Sequence, residues 1–266
     1  MDAVAQGSFY KKQLECKSGI IAWSHRSRFE VGFRLIGPSV DRLLDYGCGD
    51  GTFLAIAADR VQEAVGADLN IAQIEDCRNR FADVPNRRFC MIKDLQAPEH
   101  KNAYSVVTCM ETLEHCLPNV VETVLADLVR LVHPSGKVVI SVPIEIGPSF
   151  VAKSCIRSLA AWRGLSDYRH YESYSLGNSL RMIFATRNTQ IERPEHRVSY
   201  GLTHSHYGFN WRALRERVRA HLDIERTTFS PLTWLAGWFS SQVWFVCRPR
   251  AESSRTHLDS PQPAHH

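Results

Sequence analysis

Residues 43–54 read LLDYGCGDGTFL, an apolar run that breaks at Gly47, Gly49 and Gly51 and then resumes. Glycines admit positive φ and let a ligand lie against bare backbone beside the amides of a helix start. The dinucleotide fingerprint needs its third glycine one position later, where Thr52 stands. No Lys-Ser/Thr pair follows, so the turn is not a triphosphate loop either.

Outward from this turn, short apolar runs alternate with helix-period segments. VDRLLDYG (40–47), EAVGADL (63–69), RFCMIKDL (88–95), YSVVTCM (104–110) and KVVISVP (137–143) read as strands. TFLAIAADR (52–60), NIAQIEDCRNRF (70–81, capped by Asn70) and VVETVLADLVRLVH (120–133) read as helices between them. Alternation of this kind predicts a parallel sheet covered on both faces, a doubly wound Rossmann-like α/β domain. Residues 1–37 read as an N-terminal helical extension and 38–144 as the binding core. Residues 145–209 lose the alternation and read as a helical, aromatic and basic insertion on the substrate side. A closing helix, NWRALRERVRAHL (210–222), and two strands, DIERTTFSP (223–231) and SQVWFVCRP (241–249), fill 210–250, and 251–266 reads as a disordered tail.

Asp68 ends the second strand, where a carboxylate can accept from both hydroxyls of a ribose. Asp94 ends the third, placed for an adenine amino group. A glycine loop, a ribose acceptor and a base acceptor on successive strand tips imply adenosine joined to something other than pyrophosphate.

At these residues the chain resembles the class I S-adenosylmethionine-dependent methyltransferases, over roughly 40–142. DYGCGDG matches the first family motif, GADLN the second, KDL the third and TCMETLEH the fourth. The resemblance implies a seven-stranded sheet with an antiparallel last strand and S-adenosyl-L-methionine as cofactor. It assigns Asp45 and the loop Gly47, Cys48, Gly49 and Gly51 to the methionine part and Asp68 with Leu69 to the ribose. Asp94 and Leu95 then take the adenine, and Cys109 with Met110 the sulfonium side. Ser105 departs from the family, whose members often carry Asp there.

ETLEH (111–115) follows the fourth strand and would face the transferred methyl. Glu111, Glu114 and His115 at i, i+3 and i+4 would share one face of a helix. Three readings stay open: carboxylates favoured at a helix start, a general base for a hydroxyl acceptor, or ligands of a divalent metal. The ExxEH pattern resembles ubiquinone-biosynthesis O-methyltransferases and the enzymes that methylate the 2′-hydroxyl at the 3′ end of small RNAs. In the latter a further histidine completes a metal site ahead of Phe-Glu-Trp. Here THSHYGFNWR (203–212) offers His204 and His206, with Asn210 in place of the Glu.

Residues 151–220 hold 12 Lys+Arg against 5 Asp+Glu, a local charge of +7 that leaves −3 for the rest of the +4 total. A basic, aromatic insertion suggests an anionic or glycan-like acceptor, with Tyr168, Tyr171, Tyr174, Tyr207 and Trp211 as stacking candidates. A diffuse likeness of SHRSRF and SSQVWFVCR to glycan-biosynthesis methyltransferases points the same way. Eight scattered cysteines without a CxxC pair suit reduced, buried thiols. No run approaches a signal-peptide core or a transmembrane segment, so a cytoplasmic protein is expected. The tryptophans of WLAGWFSSQVWFV (234–246) are expected in the sheet rather than on a membrane. The expected activity is O-methylation of such an acceptor. An RNA 2′-O-methyltransferase and a non-catalytic scaffold that retains the fold are the alternatives.

Overall fold

The computed structural model describes residues 7, 19–151, 153, 176–231 and 240–250. Strands β1 (Val40–Tyr46), β2 (Val61–Asp68), β3 (Arg87–Met91), β4 (Tyr104–Met110) and β5 (Val132–Pro143) pair in parallel. Numbering β6 (Glu195–Val198), β7 (Gly201–His204), β8 (Leu222–Ser230) and β9 (Gln242–Pro249) onward, the main sheet has the order β3-β2-β1-β4-β5-β9-β8. The last strand, β9, runs antiparallel to both its neighbours, so the seven-stranded sheet of the resemblance is the observed one.

After β3 the chain returns to the other side of β1 and grows the sheet in the opposite direction. The carboxyl ends of β1 and β4 therefore part company, which opens the crevice where doubly wound sheets bind ligands. β1 and β2 match closely in register, Asp45 opposite Gly66 and Tyr46 opposite Ala67, so the loop after β1 sits level with Asp68.

Helices α1 (Gly19–Ile36), α2 (Thr52–Ile56) and α3 (Ile71–Arg80) cover one face. Phe29, Val31 and Ile36 pack there with Phe53, Leu54, Ile74 and Trp244. On the other face, α4 (Pro118–Leu131) sets Val121, Val124, Leu125 and Leu128 against the sheet. Numbering α5 (Leu176–Ile183) and α6 (Trp211–His221) after it, α6 adds Trp211, Leu214 and Val218 to the same core. Asn70 and Asn210 cap α3 and α6 through their side chains, as their positions before the apolar periods predict. Of the tryptophans in 234–246, Trp244 is fully buried in the sheet and donates from its indole to Ser230 Oγ at 3.0 Å, whereas Trp234 and Trp238 lie outside the described residues.

Two expectations are corrected. ETLEH is not a helix face: Leu113–His115 form a single 3₁₀ turn, and α4 begins only at Pro118, whose fixed φ suits the first helical position. The insertion is not uniformly helical, because Glu195–Val198 and Gly201–His204 make a β-hairpin, the second sheet. Four-residue strands are too short for their alternation to stand out. Tyr168, Tyr171, Tyr174 and the tail 251–266 lie outside the described residues. No helix among the described residues is long and apolar enough to cross a membrane, and the cysteines described there are unpaired.

Candidate active site

A cavity of about 560 Å³ lies at the carboxyl ends of β1, β2 and β4 and extends under the β6–β7 hairpin. On its β1–β2 side it is walled by Asp45, Gly47, Cys48, Gly49, Asp68 and Leu69, and on its β4 side by Met110, Glu111, Thr112 and His115. Gly47, Gly49 and Gly51 all have positive φ. A side chain at Gly47 would also strike Thr112, whose Oγ1 lies 2.3 Å from the position of a Cβ. The bare backbone at Gly47 is thus required by the turn after β4 as well as by its own conformation.

The loop satisfies its own amides. Gly47 and Cys48 N–H donate to the Ala67 carbonyl at 2.8 and 3.0 Å, and Gly51 N–H donates to the Cys48 carbonyl at 3.0 Å. Gly49 N–H donates to Asp68 Oδ2 at 3.0 Å, and Thr52 N–H to Asp50 Oδ1 at 3.2 Å. With these donors engaged, the loop lacks the amide nest that grips a phosphate.

Asp68 braces two turns, since its Oδ1 also accepts from Asn70 N–H at 2.8 Å. Asp45 is buried and accepts from Thr108 Oγ1 at 2.7 Å. Burial raises its carboxyl to about 7; the Thr108 bond lowers it and the nearby Asp68 raises it further. Burial also raises the Cys48 thiol well above its ordinary value, so it lines the cavity in neutral form.

Four residues that the sequence assigns to the cofactor stand back from the cavity wall. Asp94 turns to its own backbone, where Oδ2 accepts from Met91 N–H at 3.0 Å, and Leu95 and Cys109 are buried in the core. Gly51 serves the turn into α2, and Ile92 lines the wall next to this strand end. Residues the sequence did not single out include Arg28, Phe29, Gln73 and Thr112. Arg28 reaches across from α1 to pair with Glu111 at 3.5 Å. Glu111 has a φ of 52°, an unusual conformation for a residue with a side chain, and its N–H donates to the Ser141 carbonyl at 3.0 Å. Such outliers collect at functional sites.

Beyond Glu111 the chain gathers Glu114, His115 and His206. One ligand atom from each lies within 4.8 Å of the others. His115 Nδ1 lies 2.9 Å from the His204 carbonyl. A carbonyl can only accept, so Nδ1 carries a proton, and in the neutral tautomer Nε2 is the acceptor. That Nε2 is 3.2 Å from His206 Nε2 and 3.8 Å from Glu114 Oε1. Glu114 is fully buried, and among the described residues neither carboxyl oxygen has a hydrogen-bond partner. Its carboxyl is pushed well above the ordinary range by burial first and Glu111 second; its own amide, Arg28 and Arg193 offset this only in part. His204 contributes its carbonyl; its ring, whose Nδ1 lies 3.1 Å from the Pro194 carbonyl, is not among the gathered ligand atoms. Glu111 faces Arg28 instead of joining the trio.

A family model described as a methyltransferase domain matches residues 24–193. Ubiquinone biosynthesis O-methyltransferase of Acinetobacter baylyi is 32% identical over 110 residues, 40% of this chain and 44% of that protein. The Nitrosospira multiformis enzyme of the same name is 35% identical over 111 residues, 41% and 44% of the two chains. The chain thus spans less than half the length of these curated relatives. Among solved structures, the PH0226 protein from Pyrococcus horikoshii superposes with a TM-score of 0.59 at 13% identity, covering 92% of this chain and all of that one. The N-methyltransferase NodS from Bradyrhizobium japonicum, in complex with S-adenosyl-L-homocysteine, gives 0.52 at 12% identity, covering 94% of this chain and 100% of its own. At such identities these two superpositions speak for the fold. With the family model matched over well over half of its length, the chain belongs to the methyltransferase-domain family, the class I S-adenosylmethionine-dependent methyltransferases.

Proposed function

We propose that this chain transfers the methyl group of S-adenosylmethionine to a hydroxyl of a small acceptor, with Glu114, His115 and His206 holding a divalent cation beside that hydroxyl. The observation that carries the reading is Glu114, a fully buried carboxyl with both oxygens unpartnered, next to two imidazole Nε2 atoms 3.2 Å apart. Burying an unsatisfied carboxyl is unfavourable unless a ligand completes it. Two imidazoles and a carboxylate suit Mn²⁺, Fe²⁺, Co²⁺ or Zn²⁺.

The cleft suits the cofactor on its own terms. Its loop amides are engaged, which disfavours a pyrophosphate, and Asp45 and Asp68 offer carboxylates to a ligand carrying cationic and hydroxyl groups. S-adenosylmethionine supplies an electrophilic methyl on a cationic sulfur. A divalent ion lowers the pKa of a hydroxyl bound to it, which makes that oxygen a better nucleophile at neutral pH. The chain's own part is alignment. Asp68 and the loop after β1 fix the cofactor side, the turn after β4 presents Glu114 and His115, and the hairpin brings His206 to meet them.

The acceptor side favours an uncharged, partly apolar molecule over the anionic or glycan-like one expected from the basic insertion. On the β4 side of the described wall Glu111 is paired with Arg28, which alone represents Lys and Arg in that wall, so the two charges offset one another. Val120, Tyr200 and Leu202 line the same cavity while 36%, 49% and 47% exposed, an apolar rim that a ligand would cover.

Calorimetry with S-adenosylhomocysteine, then transfer of labelled methyl to a panel of alkyl-substituted phenols, simple sugars and RNA oligonucleotides, tests the reading. Binding of the cofactor product is expected, with transfer to phenols that chelators abolish and Mn²⁺ or Co²⁺ restores. Full turnover after chelation removes the cation; absence of cofactor binding removes the methyltransferase. Transfer to oligonucleotides with steeply salt-dependent binding would instead establish the RNA reading.

A further inference from the structure

Glu114 and His115 sit after β4, and His206 sits in a turn 91 residues later that shares no secondary-structure element with them. Something must hold the two turns at the distance that lets the imidazoles meet. Arg193, which precedes β6, bonds to both. Its Nη2 donates to the Glu114 carbonyl and to the Ser205 carbonyl, the latter at 2.7 Å, and its Nε donates to the Tyr207 carbonyl at 3.1 Å. The acceptors are the backbone of Glu114 itself and of the residues on either side of His206.

We infer that Arg193 is a positioning residue that clamps the Glu114–His115 turn to the His206 turn and so sets the separation of the two imidazoles. The inference rests on the cation reading of the trio, though the clamp itself is geometry of the chain. Arg193 is largely buried among carbonyl partners, a costly place for a cation that the charge of nearby Glu114 offsets only in part, since burial is the larger effect and leaves its pKa lowered. What a guanidinium offers there is a rigid planar fork that satisfies three carbonyls at once; an ammonium offers its donors from a single point. The His206 turn is also pressed onto the Arg193 segment. The Phe209 ring lies 5.2 Å from the guanidinium carbon, and a Cβ at Gly208 would come within 2.6 Å of Ile191 and 3.4 Å of Arg193 Cγ. Two further bonds, Thr203 Oγ1 to the His115 carbonyl at 2.9 Å and His115 Nδ1 to the His204 carbonyl at 2.9 Å, join the hairpin to the first turn but do not reach His206.

The test compares the full-length protein with Arg193→Lys and Arg193→Met. Co²⁺ titration followed by visible absorption reads the trio, ¹⁵N-histidine NMR of the metal-free proteins reads the imidazoles directly, and S-adenosylhomocysteine binding certifies the fold. Both variants are expected to bind the cofactor product within twofold of the unaltered protein, yet to lose about 10- to 100-fold in Co²⁺ affinity. The His206 imidazole, no longer held 3.2 Å from His115, should give shifted and averaged ring signals, assigned with His115→Gln and His206→Gln. Unchanged Co²⁺ affinity with unchanged histidine spectra would overturn the clamp, whatever the melting temperature does. If Arg193→Met fails to bind S-adenosylhomocysteine, Arg193→Lys decides by the same readings. If the unaltered protein takes up no Co²⁺, the cation reading falls and the histidine spectra judge the clamp alone: averaged spectra sustain it, unchanged spectra overturn it.

Discussion

The two halves of the cleft differ in how far they satisfy themselves. Around the loop after β1, amides, carbonyls and carboxylates are already matched: Ala67 takes two amides, and Asp68 takes those of Gly49 and Asn70. Around the turn after β4, a buried carboxyl has no hydrogen-bond partner among the described residues, and two imidazole nitrogens face one another. A self-satisfied wall is a preformed seat for a ligand of fixed shape, and an unsatisfied one is built around something the chain does not supply. The contrast supports the proposed division, with chemistry on the β4 side and cofactor recognition on the β1–β2 side.

The largest expected effect tests the preformed side. Asp68→Ala removes both a candidate ribose acceptor and the brace on Gly49 and Asn70, so S-adenosylhomocysteine affinity should fall more than about 100-fold by calorimetry; retained affinity would erase the contrast. On the other side, Glu114→Met keeps the side-chain volume and deletes the orphan carboxyl. The metal-free protein should become more stable by about 1–3 kcal/mol in urea titrations while cation binding and methyl transfer disappear. Stabilisation of this kind without loss of activity would show that Glu114 plays no part in the reaction.

The two hairpin histidines then sharpen the comparison. His206→Ala should lower transfer about 100-fold, since its ring meets His115. His204→Ala should lower it less than tenfold, because the carbonyl that orients His115 survives the substitution. Equal losses would blur the division between ring and backbone roles.

Asp45 provides a pH signature for the preformed side. Its folded value of about 7 lies above the ordinary 3.8, so between these values the unfolded chain releases a proton that the folded chain keeps. Stability is unaffected below pH 4, declines as pH rises, and carries the full penalty above 7. Asp45→Asn should therefore raise unfolding free energy by about 2–4 kcal/mol at pH 8 and by little at pH 4, measured without cofactor. The smallest effect belongs to Asp94, whose carboxylate caps Met91 N–H. Asp94→Asn should cost about 1 kcal/mol or less and change S-adenosylhomocysteine affinity less than threefold; a larger drop in affinity would bring Asp94 into the cleft.

Much of this layout was legible in the chain. Alternating strand and helix periods announced the doubly wound sheet, Asn70 and Asn210 announced the starts of α3 and α6, and the spacing of glycines placed the loop. These signals are local: a period or a cap is written within a few residues. The trio was legible only in its parts. ETLEH suggested a helix face because i, i+3, i+4 spacing is helical, but Pro118 delays the helix and leaves a tight turn that aims Glu114 inward and His115 toward the hairpin.

The sequence by itself determined the fold family, the glycine loop after β1 and the candidate residue types, since each depends on short-range pattern. Only the tertiary structure decided that the His206 ring and not the His204 ring meets His115, that Glu111 pairs with Arg28, and that Asp94 accepts from Met91 N–H. Those outcomes depend on which hydrogen-bond partner lies nearest after folding, and for residues 91 positions apart that distance exists only once the chain has closed on itself.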